Sequence, residues 1–226
     1  MILFAYDFPH KKTMDFIFYS NFYGHKIDAV IAAPFVKLKT PKRILNTSIN
    51  YRGLIDTKDM CERYDIPFHS VPHNSDESVK LLEQYSPTLG LISGARILSK
   101  RVINCFKKGI INFHPGLIPD CRGLDTTQWV FYDNLKVGVT SHFIDPRVDA
   151  GWIIKKKEFE RTQNDNLRDI SLTLYQGQLE IFEETLKLAK EKELESLEFI
   201  PHNSKPSYGY FPTELDLDLK SYWSRM

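Results

Sequence analysis

Gly109-Ile110-Ile111-Asn112-Phe113-His114-Pro115-Gly116-Leu117-Ile118-Pro119 is the stretch on which the fold turns. Its first six residues read as a strand, and Pro115, which cannot donate to a sheet ladder, ends it. In a strand, positions i and i+2 leave on one face, so the Asn112 amide and the His114 imidazole point at one spot. Pro115, Gly116 and Pro119 then force the chain into an ordered loop beside that pair. A turn this sharp is expected to use a cis Ile118-Pro119 bond. Further on, the apolar alternation from Val137 to Ile144 reads as a second strand, and the loop after it delivers the carboxylate of Asp149. Taken singly, Asn112 reads as a turn cap, His114 as a structural histidine and Asp149 as a turn residue. Their conjunction argues for chemistry.

Outward from this stretch, Ile2 to Tyr6, Ala29 to Ala33, Pro67 to Val71 and Leu89 to Ser93 are short apolar runs. Thr57 to Tyr64, Glu77 to Tyr85 and Ser99 to Lys107 lie between them with helical spacing. The alternation predicts an α/β chain, a mixed but mainly parallel sheet with flanking helices. A helix over Asp125 to Asp133 follows, then strands Lys136 to Phe143 and Trp152 to Phe159, joined by a short loop and expected to be antiparallel. Leu167, Ile170, Leu174, Ile181, Phe182, Leu186 and Ala189 predict one long helix from Asn166 to Lys192, capped by Asn164 or Asp165, with Gly177 its weak point. The charged run Lys190 to Glu195 reads as a solvated helix end. Residues 1–195 form the catalytic domain on this reading, and 196–226 a short tail rich in Pro, Tyr and Phe. A ligand belongs beyond the carboxyl ends of the strands, where Ser93, His114 and the loop at Asp145 are expected to emerge.

Composition narrows the class. At 226 residues, 42% hydrophobic and 26% charged, the chain has what an ordinary globular core needs. Lys+Arg 30 against Asp+Glu 29 leaves a net charge of +1, which gives no electrostatic footprint for nucleic acid. Cys61, Cys105 and Cys121 lack metal-ligand spacing and are odd in number, so no metal site and no disulfide framework is expected. A reducing, cytoplasmic setting follows. No apolar run is long enough for a membrane span, and Met1 to Tyr6 reads as a buried strand in preference to a signal peptide.

Asn112 to Pro119, then Gly138-Val139-Thr140-Ser141-His142, then Asp149-Ala150-Gly151 resemble, in that order, the formyltransferases that draw on 10-formyltetrahydrofolate. The resemblance is strong over residues 89 to 160 and weak elsewhere. It implies the Rossmann-like formyltransferase fold, with Asn112, His114 and Asp149 as the catalytic trio and His142 in support. Gly116 stands where the family often has Ser. Ala95-Arg96-Ile97-Leu98-Ser99 resembles the segment lining the folate pocket in the glycinamide ribonucleotide branch. The backbone of Ala95, Arg96 and Leu98 and the loop Asp145-Pro146-Arg147-Val148 would then bracket the pterin, with Leu91 and Ile97 as apolar walls. Ile97 and Leu98 serve the core as readily. Gly116, Arg122, Gly123 and Asp125 are implied on the acceptor side, although Arg122 also fits a plain surface charge.

The chemistry requires such groups. When an amine attacks a formyl carbon, its oxygen becomes an oxyanion, and one preorganised donor there is worth roughly 3 kcal/mol. Asn112 and His114 supply donors, and Asp149 keeps His114 charged and relays protons. For the acceptor, the glycinamide ribonucleotide branch carries a glycine-rich phosphate turn after its first strand, whereas Ala5-Tyr6-Asp7-Phe8-Pro9-His10 has no glycine. The initiator-tRNA branch carries a further domain, and none is expected here. Elimination leaves the nucleotide-sugar N-formyltransferases, which formylate an amino sugar on a nucleoside diphosphate. Trp129, Tyr208, Tyr210 and Phe211 either stack on the base or pack the tail. The tail itself either pairs across a homodimer or covers the nucleotide. Other readings are formylation of glycinamide ribonucleotide or another amine, hydrolysis of formyltetrahydrofolate, and a non-catalytic folate-binding module.

Overall fold

From the amino terminus the elements run β1 Ile2–Tyr6, α1 Lys11–Phe22, β2 Ala29–Ala33, α2 Thr57–Arg63, β3 Phe68–Ser70, α3 Asp76–Tyr85, β4 Leu89–Ile92 and α4 Lys100–Ile103. There follow β5 Gly109–His114, α5 Thr126–Tyr132, β6 Val137–Ile144, β7 Gly151–Phe159, α6 Leu167–Glu180, α7 Phe182–Glu191 and β8 Glu198–Ile200. The structure is a computed structural model, and it describes residues 1–42, 44, 51–146, 149–162, 165–201 and 203–217. One sheet holds the strands in the order β3-β2-β1-β4-β5-β6-β7-β8. The half from β3 to β5 is parallel and the half from β5 to β8 antiparallel. The α/β class and the antiparallel β6–β7 pair match the sequence expectation, and the Ile118-Pro119 bond is cis.

Alternation of side chains sorts the core into two layers. Leu3, Ala5, Val30 and Phe113 pack with Phe16 and Ile17 of α1 and Phe182 of α7 on one face. Ile2, Phe4, Ile31 and Ile110 pack with Val79 and Leu82 of α3 and Val102 of α4 on the other. The Phe113 ring lies 5.2 Å from Phe16 and 5.6 Å from Phe182, centroid to centroid, so two helices clamp the middle of β5. Because Phe113 is committed to that face, its neighbours Asn112 and His114 must project from the other.

Four features depart from expectation. Helix α1 carries no clean apolar stripe: Phe18 and Phe22 stand 50% and 69% exposed while Phe16 and Ile17 are buried, so its periodicity is masked. The long helix from Asn166 breaks at Ile181 into α6 and α7. Its cap is Asn166, which closes a capping box with Asp169, while Asp165 instead binds Thr162 and Asn164 lies outside the described residues. Gly177 is no weak point, for a β-carbon there would lie 2.6 Å from the Phe159 ring, and the glycine lets α6 sit close on the sheet. Finally, β8 adds a strand alongside Gly151, Trp152 and Ile153, so the sheet draws on the tail.

The candidate active site

Asn112 and His114 leave the carboxyl end of β5 on one face, as their spacing requires. The loop carrying Asp149 arrives differently from the sequence expectation. Since β6 runs antiparallel to β5, with Phe143 opposite Ile111, its end lies below Asn112 and not beyond His114. A closed turn, in which the Asp145 N–H donates to Ala150 O at 3.1 Å, folds back over the face and presents Asp149. Asp149 has φ 42, a left-handed conformation that costs a non-glycine residue free energy and is often found at functional sites.

Two groups converge on one carboxylate oxygen. Asn112 Nδ2 donates to Asp149 Oδ1 at 3.4 Å, and His114 Nδ1 lies 3.4 Å from the same atom. The other oxygen, Oδ2, accepts from the Gly123 N–H at 2.8 Å. His114 Nε2 donates to Cys121 O at 2.8 Å, which leaves Nδ1 facing Asp149. His142 lies fully buried beneath, and burial pushes its imidazole down to about 4 against the pull of Asp149. Uncharged, its Nε2 accepts from Asn112 Nδ2 at 3.3 Å and orients the amide. The 2.8 Å bonds fix the frame, whereas those at 3.3 to 3.4 Å are beyond the ordinary range and are replaceable by a stronger acceptor. Cys121 is no nucleophile, since burial pushes its thiol up to about 12.

The loop from Pro115 to Asp125 is held by its own sheet and by the tail. Thr140 Oγ1 donates to Gly116 O at 2.8 Å and accepts from the Ile118 N–H at 3.1 Å. A β-carbon at Gly116 would lie 2.9 Å from His114 Nε2 and 2.6 Å from Cys121 O, so the glycine lets the loop close on the histidine. Gly123, at φ 98, bridges Tyr208, and a β-carbon there would meet Tyr208 O at 2.1 Å.

Several residues expected to face ligands are used otherwise. Arg122 is neither surface charge nor open acceptor contact: it is buried and donates to Lys205 O at 3.1 Å. Asp125 accepts the Phe211 N–H at 2.7 Å. Trp129 stacks on Tyr208 at 4.7 Å and meets Phe211 edge-on, so these rings are occupied by one another. Leu91 is buried in the α1 layer as a central strand residue, and Leu98 is buried in the α3 layer, where its side chain serves the core. Ala95 is half-buried, Arg96, Ile97 and Pro146 are exposed, and Asp145 is half-buried, within the face that Asn112 shares. Arg147 and Val148 lie outside the described residues. A cavity of about 570 Å³ lined by Leu117, Cys121, Leu135 and Tyr208 sits behind the loop, apart from the trio.

No sequence signal singles out Lys12, because α1 itself shows no clean helical period. Its Nζ donates to Phe113 O at 2.9 Å, the carbonyl between Asn112 and His114. Burial pushes its ammonium down to about 7, with Asp149 acting in the opposite direction. Burial, helped by Lys12, likewise pushes His10 down to about 4.

Residues 24–186 match the family model described as Formyl transferase. The chain belongs to the formyl transferase family. Within it, a methionyl-tRNA formyltransferase of Thermodesulfovibrio yellowstonii is 32% identical over 113 residues, 49% of this chain and 37% of that protein. Among the curated relatives the matched stretch spans 31% to 64% of their length. Two solved structures share the fold. Phosphoribosylglycinamide formyltransferase from Bacillus halodurans superposes with TM-score 0.63 at 18% identity, over 84% of this chain and 94% of that one. A sugar N-formyltransferase from Shewanella sp FDAARGOS_354 gives 0.62 at 17% identity, over 92% and 76%. Among the described residues no helix of this family member is long and apolar enough to cross a membrane, and no acidic, histidine or cysteine cluster forms a metal site.

Proposed function

We propose that this chain transfers a formyl group from 10-formyltetrahydrofolate to the amine of an amino sugar carried on a nucleoside diphosphate. The observation that carries formyl transfer is the convergence of Asn112 and His114 on Asp149, with long, replaceable contacts on the open side. The donor set fits a formyl oxygen. As the acceptor nitrogen attacks the formyl carbon, negative charge moves to that oxygen, and the Asn112 N–H and a protonated His114 turn from Asp149 towards it. Asp149 accepts a proton from the attacking nitrogen and His114 returns one to the departing folate nitrogen. The backbone of Ala95, Arg96 and Leu98, with the loop from Asp145 to Val148, is where the pterin would lie.

The acceptor assignment is supported by the turn after β1, where Tyr6, Phe8 and His10 stand in place of glycines. Tyr6 stacks on Phe8 at 5.0 Å and Phe8 meets Phe35 edge-on at 5.8 Å, an aromatic wall beside the strand ends that suits a nucleotide. The fold neighbour named as a sugar N-formyltransferase is consistent with it. Tetrahydrofolate release from 10-formyltetrahydrofolate, followed with amino nucleotide sugars, glycinamide ribonucleotide and charged initiator tRNA, tests the assignment. Turnover with an amino nucleotide sugar is expected. Turnover confined to either of the others replaces the acceptor and keeps the chemistry, and acceptor-independent formate release would make the chain a hydrolase.

A further inference from the structure

The trio leaves one proton unassigned. An amine dissolved at neutral pH is largely an ammonium, and an ammonium has no lone pair with which to attack. It must shed a proton before the formyl carbon is engaged, in addition to the one it loses during transfer. His114 is poorly placed to take the first, since Nε2 is spent on Cys121 O and Nδ1 faces Asp149. Asp149 is occupied on Oδ2 by the Gly123 N–H and on Oδ1 by Asn112 and His114.

Lys12 is arranged to do it. The first turn of α1 is pinned to the strand ends: Thr13 Oγ1 bonds Ser93 Oγ at 2.9 Å, Ser93 Oγ donates to Phe4 O at 2.9 Å, and His10 Nδ1 bonds Thr13 Oγ1 at 3.0 Å. From that fixed turn the two adjacent lysines diverge. Lys11 pairs with the buried carboxylate of Asp15, which also accepts from the Tyr175 hydroxyl, so its charge is already engaged. Lys12 runs across the Phe16 ring, 5.2 Å from its centroid, to the Phe113 carbonyl. Its bond there is to a neutral oxygen, which a free amine satisfies as well as an ammonium does, leaving the nitrogen lone pair for another partner.

Resting on formyl transfer to an amine, we infer that Lys12 is a further catalytic residue, the base that takes the first proton from the acceptor's ammonium at the β5 carbonyl between Asn112 and His114. The step balances. The acceptor R–NH3⁺ gives one proton to the Lys12 amine and becomes R–NH2, and Lys12 becomes an ammonium. The R–NH2 lone pair then forms the new C–N bond, and a second nitrogen proton passes through Asp149 and His114 to the folate nitrogen as its bond to the formyl carbon breaks. Lys12 afterwards returns its proton to solvent. The ionisable groups around it are His10 before α1, Lys11 and Asp15 on α1, His114 on β5 and Asp149 before β7. Burial holds His10 uncharged above about 4, and it draws the Lys12 ammonium to about 7, where a base for this step is most effective.

Two measurements test this. In the first, the full chain without acceptor is labelled at lysine side chains, and the ε-carbon and ε-nitrogen resonances are followed by NMR from pH 5 to 11, with Lys12 assigned by its loss in Lys12→Arg. A midpoint near 7 is expected, and one near the ordinary lysine value overturns the inference whatever the acceptor proves to be. In the second, kcat/KM is followed from pH 5.5 to 9.5 with an acceptor that the wild type turns over. Lys12→Arg keeps a donor to Phe113 O but cannot give up its proton, so it is expected to lose about a hundredfold at pH 7 and to recover as the acceptor amine deprotonates unaided. Lys12→Ala is expected to regain activity with added small alkylamines. A Lys12→Arg enzyme with the wild-type rate and profile shows that the lysine only holds the strand. Absence of turnover by the wild type with every amine offered counts against formyl transfer to amines, and the titration still decides whether Lys12 is a base.

Discussion

The loop after β5 and the turn after β1 border the same strand ends and are built in opposite ways. The first is closed by short bonds: Thr140 to Gly116 O at 2.8 Å, Cys121 N–H to Leu117 O at 2.8 Å, Gly123 N–H to Asp149 at 2.8 Å. The second is held by fewer bonds, the Asp7 N–H on Ala33 O at 3.1 Å, Ser70 Oγ on Asp7 at 2.6 Å and Thr57 Oγ1 on Phe8 O at 2.9 Å, and carries half-buried rings at its tip. One wall is a fixed frame that aims the trio, and the other an adaptable surface whose side chains alter without disturbing the fold. Chemistry should therefore be sensitive to the first and acceptor choice to the second.

Breaking the frame at the trio gives the largest effect. Asp149→Asn and His114→Ala are each expected to lower kcat by at least about a hundredfold while folate binding, measured by fluorescence titration, stays within a few fold. Near-normal turnover in either would remove the mechanism. Thr140→Val comes next. It keeps shape but strands the buried Gly116 carbonyl and Ile118 N–H, at a cost of about 1–3 kcal/mol in denaturant unfolding. A variant as stable as the wild type would mean that the loop is closed by something other than Thr140.

Acidification should lower stability more gradually, through His142 beneath the frame and His10 in the turn after β1. Burial depresses the folded-state values of His142 and His10 from 6.5 to about 4, so between those limits the unfolded chain binds more protons. Their contribution is present in full above pH 6.5 and is lost as pH falls towards 4, with a slope of at most about 1.4 kcal/mol per pH unit for each histidine. Urea midpoints that hold steady between pH 7 and 4.5 would contradict it. The smallest effect on stability belongs to the adaptable wall. Phe35, 71% exposed, should tolerate Phe35→Ala within about 0.5 kcal/mol while KM for the acceptor rises. A large stability loss with unchanged KM would reverse the roles of the two walls.

The same division explains what the sequence discloses. Asn112, His114 and Asp149 are legible because a strand fixes side-chain direction by spacing and proline marks its end; both are local rules. The arrival of Asp149 over the face is not local. It follows from the antiparallel pairing of β5 with β6, which sequence spacing leaves open. Arg122 and Asp125 look like ligand contacts because they are polar and follow the catalytic loop, yet each is consumed by a tail segment some eighty residues away (~80 by position), and no local pattern announces such a partner. Lys12 is hidden for another reason: aromatic residues all round α1 obscure its helical period, and its distinguishing feature is a buried carbonyl a hundred residues on, at a separation of 101. Sequence shows what a residue can do, and long-range packing decides whether it is free to do it.

The last strands carry a consequence for association between molecules. Only Gly151, Trp152 and Ile153 of β7 are paired with β8, so among the described residues the stretch from Ile154 to Phe159 has no strand on its outer side. Open backbone of this kind is a template onto which another chain can add. Here it is occupied by Lys155, Lys156 and Lys157, each engaged by a glutamate, Glu184, Glu198 and Glu180 in turn. An incoming strand would have to lie against this row of charges and strip water from them. The lysines thus act as a fence that disfavours strand addition along this edge.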